Sequence, residues 1–172
     1  MPIKNGTYVD SDDSGGGFWS VSQALPYDVH LSGVPHIVAE VSSQVPDVHF
    51  VARLFDIEKG GDATLITRGA FLVREEGKAE FDLYPQDWRL EKGHRLGLFI
   101  SSADDSWFSP GVTQTEVTVG GGNISIPFLR FARTRFLKGG PAEAMGDRQT
   151  DSLESATIKE ATVKADLPPR LR

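Results

Sequence analysis

Val48-His49-Phe50-Val51-Ala52-Arg53-Leu54-Phe55-Asp56-Ile57 is the stretch that decides the fold. It is rich in β-branched and aromatic residues and holds no Gly, Pro or Asn, so it reads as a strand. With a period of two, Val48, Phe50, Ala52, Leu54 and Asp56 share one face. His49, Val51, Arg53, Phe55 and Ile57 share the other. Both faces are largely apolar, which predicts a strand inside a sheet that is packed on both sides.

The flanking segments repeat the signal more weakly. Upstream, His36 to Ser42 alternates, with Ile37, Ala39 and Val41 on one face, and Pro46-Asp47 makes the turn between the two strands. Phe18 to Ser22 is a short aromatic and β-branched run, followed by punctuation at Pro26 and Gly33-Val34-Pro35. Downstream, Gly60-Gly61 sits in a hairpin-type loop, and Thr64 to Arg74 returns as a strand with Gly69 as a candidate bulge. Glu75 to Lys78 turns the chain into Ala79–Tyr84. Arg95 to Ser101 and Gln114 to Val119 alternate again. Gly120-Gly121-Gly122-Asn123 reads as a tight loop, and Ile124 to Leu129 as a last strand that Pro127 confines to an edge or an end.

The inventory is roughly seven to nine short strands spaced about 8–12 residues apart, with no long amphipathic helix between them. That predicts an all-β domain, a β-sandwich of jelly-roll type, over residues 18–136. Met1 to Gly17 is polar and reads as a flexible lead-in. Its Asp10-x-Asp12-x-Ser14-Gly15 spacing begins like a calcium loop, but the twelfth position is Val21 rather than a bidentate acid, so a solvated loop is expected. Residues 137–172 are poor in large apolar side chains and read as a polar tail, either disordered or carrying a short helix within Ser152–Ala165 that docks on something else.

Composition narrows the function. With 172 residues the chain holds one domain of ordinary size. It has no cysteine, so disulfides, thiolate metal sites and a cysteine nucleophile are excluded, while the compartment stays open. A net charge of -6 opposes binding to nucleic acid or to an anionic membrane. No apolar run approaches the roughly 20 residues of a membrane helix, and Met1–Asp13 has no apolar signal-peptide region.

Catalytic patterns are missing. No Gly-x-Ser-x-Gly elbow occurs. His30, His36, His49 and His94 are the only histidines, and none are spaced as metal ligands. Asp104-Asp105, after Ser101-Ser102, reads as a turn that caps its own amides rather than a carboxylate dyad. Asn5-Gly6-Thr7 and Asn123-Ile124-Ser125 match the glycosylation pattern without supporting context. No catalytic residue, cofactor or metal site is expected. Trp88, Trp107 and Phe108 lie near strand ends or in loops, where they either cap the sandwich or form a docking or carbohydrate platform.

Four segments in order carry a resemblance. They are Phe50–Ile57 with the Gly60-Gly61 turn and Leu65–Ala70; Asp87-Trp88-Arg89-Leu90 with Gly93-His94-Arg95-Leu96-Gly97-Leu98; Ile100-Ser101-Ser102; and Ile124–Leu129. Together, over Phe18 to Arg135, the chain resembles the C-terminal domain of X-Pro dipeptidyl-peptidases, cocaine esterase and related acyl hydrolases. The resemblance implies a galactose-binding-like jelly roll packed against an α/β-hydrolase domain that carries a Ser-Asp-His triad. It implies hydrolysis of an X-Pro peptide, ester or amide by the parent protein. No triad residue carries over, so this chain is expected to be inactive alone and to serve as an accessory domain. The expected docking face uses Trp88, Trp107, Phe108 and the Phe128–Phe136 segment, and such a face also makes self-association plausible. Asp56, Gly93, His94 and Arg95 are assigned structural roles, with Arg95 bridging to Asp87 or Asp82. The alternative is a free-standing carbohydrate- or ligand-binding module, by analogy of fold alone.

Overall fold

The computed structural model describes residues 1–74, 77–107, 112–131, 150–152 and 155–167. Its strands are β1 (Pro2–Ile3), β2 (Gly6–Val9), β3 (Phe18–Ser22), β4 (Val29–Gly33), β5 (His36–Ser43), β6 (Val48–Ile57), β7 (Asp62–Val73), β8 (Gly77–Asp82), β9 (Gln86–Leu90), β10 (Arg95–Ser101), β11 (Glu116–Ser125), β12 (Thr150–Ser152) and β13 (Thr162–Val163). One helix is described, α1 (Ser155–Ala161).

Two sheets face each other. In the first, β1 and β2 lie along β11, followed by β5 and β8. In the second the order is β12-β7-β6-β10-β3-β13. A separate pair, β4 with β9, closes one end. Along the series β2, β3, β5, β6, β7, β8, β10, β11, every connection except the β6–β7 hairpin crosses to the opposite sheet. That wiring, with antiparallel neighbours throughout this set, is the jelly roll.

The alternation read in the sequence explains the core. Ile37, Ala39 and Val41 of β5 meet Val48, Phe50, Ala52 and Leu54 of β6, and all are buried in one cluster with Leu96, Leu98 and Ile100 of β10. The opposite face of β6 supplies Phe55 and Ile57 to a second cluster with Val21, Ala63, Phe99 and Ala161. β6 thus lies between β7 and β10 with both faces covered, as its sequence predicts.

Several expectations need correction. The lead-in is not free chain up to Gly17, because β1 and β2 pair with β11 and bury Ile3 and Tyr8. Two apolar side chains among polar neighbours suffice when the partner strand supplies the hydrogen bonds. Asp10 is not part of a solvated loop either: it is fully buried. It accepts hydrogen bonds from the His49 amide at 3.2 Å and from the Thr113 amide and hydroxyl at 3.1 and 2.7 Å.

The glycine run is not a tight loop. β11 passes straight through it with a bulge between Val119 and Gly121. Gly121 has φ 117°, and a Cβ on Gly122 would lie 2.3 Å from the Val38 carbonyl oxygen, so side chains are excluded where β11 crosses β5. Gly69 pairs regularly with Ala52, and the register shift falls nearer Leu65–Thr67. Gly69 instead makes room for Leu83, whose Cδ2 would lie 2.9 Å from a Cβ there. β11 ends at Ser125; beyond it Phe128 makes a single bridge to Leu31.

Residues 137–149 of the expected tail, the two glutamates of the 75–78 turn, and Phe108 lie outside the described residues. The described end of the tail docks on the sandwich itself. β12 extends the β7 edge, β13 pairs in parallel with β3, and α1 lays Ile158 and Ala161 over the second cluster.

Candidate docking surface

The inner face of β6 ends on a carboxylate. Asp56 is 6% exposed at the mouth of the apolar core, where an unpartnered charge would be costly. Two side chains answer it. The Trp88 indole N–H donates to one oxygen at 3.0 Å, and His94 Nδ1 lies 2.8 Å from the other. β9 delivers Trp88 because it pairs with β4 in a register that sets Trp88 opposite Leu31. Gly93 delivers His94 by turning with φ 88°. The turn is held by reciprocal backbone bonds of 2.8 Å, from the Gly93 amide to the Leu25 carbonyl and from the Leu25 amide to the His94 carbonyl. The structure therefore brings Asp56, Gly93 and His94 together with Trp88.

Trp88, named in the sequence as a docking aromatic, is half-buried against the core with its polar edge turned inward. Period-two alternation in β9 puts it on the same side as the buried Leu90. Arg95 departs from the expected bridge. It pairs in register with Ile57 and so shares that residue's face of the second sheet, away from Asp87 and Asp82. Its guanidinium donates to the Thr162 hydroxyl at 3.4 Å. Asp87 is held by His30 and by the Ser32 hydroxyl, and Asp82 by His36 at 2.7 Å. With His49 beside Asp10 at 3.2 Å, every histidine of the chain has a carboxylate neighbour. Among the described residues no cluster of three or more His, Asp or Glu side chains is arranged to hold a metal ion.

A second constellation lies on β7 and the segment after β10. The Asp104 carboxylate is fully buried and accepts from the Ser106 amide at 3.1 Å and hydroxyl at 2.8 Å, the self-capped turn read in the sequence. The sequence did not reveal its cationic partner: Arg68 donates to it at 2.9 Å. Burial pushes the Asp104 carboxyl up. The hydrogen bonds from Ser106 and Arg68, with the charges of Arg68 and Arg53, outweigh that and hold it below the ordinary carboxylate value. The Arg68 guanidinium also lies 5.0 Å over the Trp107 ring, and Trp107 packs edge-on against Tyr84 at 5.8 Å. Tyr84 is 55% exposed and Phe131 is 65% exposed. Trp107 is thus held half-buried on a charged stem beside an exposed tyrosine.

Sequence reasoning overlooked Tyr84, Arg68 and the buried Arg53. Arg53 and Arg68 are cross-strand partners in the β6–β7 hairpin, and the two arginines on facing strands were the available signal. Arg53 stacks over Phe99 at 4.8 Å and donates to the Ser14 carbonyl. Burial, and then the Asp10 charge, push the Tyr8 phenol well up, so it stays a donor to the His49 carbonyl at 2.6 Å.

The sequence model for the X-Pro dipeptidyl-peptidase C-terminal non-catalytic domain matches residues 3–145. The chain belongs to this family. No curated protein matches it by sequence. Solved structures share the fold of this family member at low identity. A CocE/NonD family hydrolase from Staphylococcus aureus superposes with a TM-score of 0.59 at 9% identity, covering 75% of this chain and 33% of that one. An α-amino acid ester hydrolase gives 0.58 at 13% identity, with the same coverages of 75% and 33%. An aminopeptidase from a marine sediment Thaumarchaeota archaeon gives 0.60 at 11% identity, over 74% and 33%. The chain spans a third of the length of these structures. No described helix is long and apolar enough to cross a membrane.

Proposed function

We propose that this chain is the accessory β-sandwich of an α/β-hydrolase of X-Pro dipeptidyl-peptidase or acyl esterase type, and that it shapes and stabilises a catalytic domain rather than reacting with substrate. The observation that carries the reading is the family match to a non-catalytic domain over residues 3–145. The catalytic domain, whether in the same chain or a separate one, docks on the Tyr84–Trp107 corner. Exposed aromatics on a rigid support lose little conformational entropy on binding and suit an interface centre.

The test is hydrolysis of X-Pro-p-nitroanilides and p-nitrophenyl esters by the purified chain, alone and mixed with a separately expressed catalytic domain of this family. The expected result is no turnover alone and a gain on mixing that Trp107→Ala reduces. Turnover by the chain alone overturns the reading. A reproducible hit on a glycan array, with no effect on any catalytic domain, would favour a carbohydrate module instead.

A further inference from the structure

α1 does not close fully on the second sheet. Between them, beside the Gly93 turn, lies an open cleft of about 580 Å³. Its walls include Glu58 and Lys59 from the β6–β7 turn, Arg95 from the start of β10, and Ile158, Lys159 and Thr162 from the C-terminal segment. A cleft of this size falls in the range that holds small ligands.

Its charge is unusual for this chain. The whole protein carries -6, yet the cleft gathers three cations, Lys59, Arg95 and Lys159, against one acid, Glu58. Lys59 is folded over the turn, so close that a Cβ on Gly93 would meet its Cε at 2.3 Å. Arg95 reaches across the cleft with, among the described residues, only the long 3.4 Å bond to Thr162. Among the described residues none of the three cations has a carboxylate within ion-pair distance. Of the acids on adjoining segments, Asp56 is engaged by Trp88 and His94, and Asp28 by Arg89 and the Lys92 amide, while Asp62, Glu91 and Glu160 are not among the residues that line the cleft. Unmatched like charges converging on a concave surface raise the local concentration of counter-ions. The Arg95 guanidinium in its lining offers the fork geometry that carboxylate and phosphate groups match.

We propose that this cleft binds a small ligand through an oxyanion, a phosphate or a carboxylate, with Arg95 as the principal contact and Lys59 and Lys159 flanking it. The wall formed by Ile158, Lys159 and Thr162 lies beyond the family match, which ends at residue 145. The site therefore exists only while the C-terminal segment is docked, and a bound anion holds that segment in place by linkage. The proposal is independent of any hydrolase partner.

The experiment titrates the full chain with inorganic phosphate and, separately, with succinate, with ionic strength held constant by sodium chloride. Melting temperature and the amide NMR shifts of Gly93, Arg95 and Lys159 are followed. The expected result is a saturable rise in Tm with saturable shifts at those amides. Stronger binding of phosphate identifies a phosphate ligand; binding of succinate as strong or stronger identifies a carboxylate. Arg95→Gln should weaken binding about tenfold, as expected for one charge-assisted hydrogen bond. Glu58→Gln, an exposed change at the rim, should tighten it, and Lys59→Gln reads the same site should Arg95→Gln fold poorly. A response that never saturates, or that is unchanged in both Arg95→Gln and Lys59→Gln, overturns the proposal.

Discussion

The outer face of the first sheet and the outer face of the second are built from strands of similar length, yet they end in opposite environments. On the first, His36, Glu40 and Ser42 of β5 and Lys78, Glu80 and Asp82 of β8 point to water, joined by ion pairs such as His36–Asp82. On the second, Trp19, Phe55, Ile57 and Phe99 form an apolar layer that Ile158 and Ala161 cover. A sheet may be wet on one side or dry on both, and the alternation of its strands decides which. β5 and β8 alternate apolar with polar, whereas β6 is apolar on both faces. The second sheet thus needed a third layer, and the C-terminal segment supplies it.

The sharpest way to break this contrast is to test whether the outer layer is a true core. Phe55→Ala should destabilise the chain by about 3–5 kcal/mol in urea unfolding, comparable to Phe50→Ala in the inner core. By contrast, Ser42→Ala on the wet face should shift stability by no more than about 0.5 kcal/mol. A Phe55 effect as small as that of Ser42 would mean the covered layer contributes nothing. Ending the chain at residue 149 removes β12, α1 and β13 together. It should bare the β3 and β7 edges and the Trp19–Phe55–Phe99 layer, seen as increased dye binding and self-association in light scattering. A truncated chain that stayed monomeric with unchanged dye binding would show that the segment is not the cover.

A smaller effect is expected where the inner core meets water. Asp56→Ala leaves the Trp88 indole N–H and His94 without their acceptor, and should cost about 1–3 kcal/mol. The effect of Asp104 depends on pH. Its carboxyl is held lower in the folded chain than in the unfolded one. Its contribution is therefore fully present above the ordinary aspartate value and is lost as pH falls through the folded-state value. Unfolding midpoints measured from about pH 5 down to pH 2 should fall less steeply for Asp104→Asn than for the unaltered chain. Equal slopes would remove the Arg68–Asp104 pair from the list of supports.

Much of the sandwich was legible because period-two patterning survives in single strands. β5, β6 and β10 were readable residue by residue, and the self-capped turn at Asp104 followed from the Asp104-Asp105 pair at a strand end. β1, β2, β4 and β9 were not, because short strands carry too few side chains to show a period. The Gly120–Asn123 run misled because glycine is equally at home in a loop and in a bulge where two backbones cross closely. Of the site residues, Asp56, Gly93 and His94 were picked from a linear pattern, but their convergence with Trp88 depends on the β4–β9 pairing. Arg95 was paired with the wrong partner because facing relations across a sheet depend on register, and register is a tertiary property.

By itself, then, the sequence determined the all-β class, the two-sided burial of β6, and the family to which the chain belongs. Alternation and turn chemistry are local and are written in neighbouring positions. The tertiary structure alone decided that the polar tail returns to edge both sides of the second sheet, that Trp88 faces inward, and that Lys59, Arg95 and Lys159 meet in one cleft. Those contacts join residues far apart along the chain, and only the completed sandwich brings them within reach.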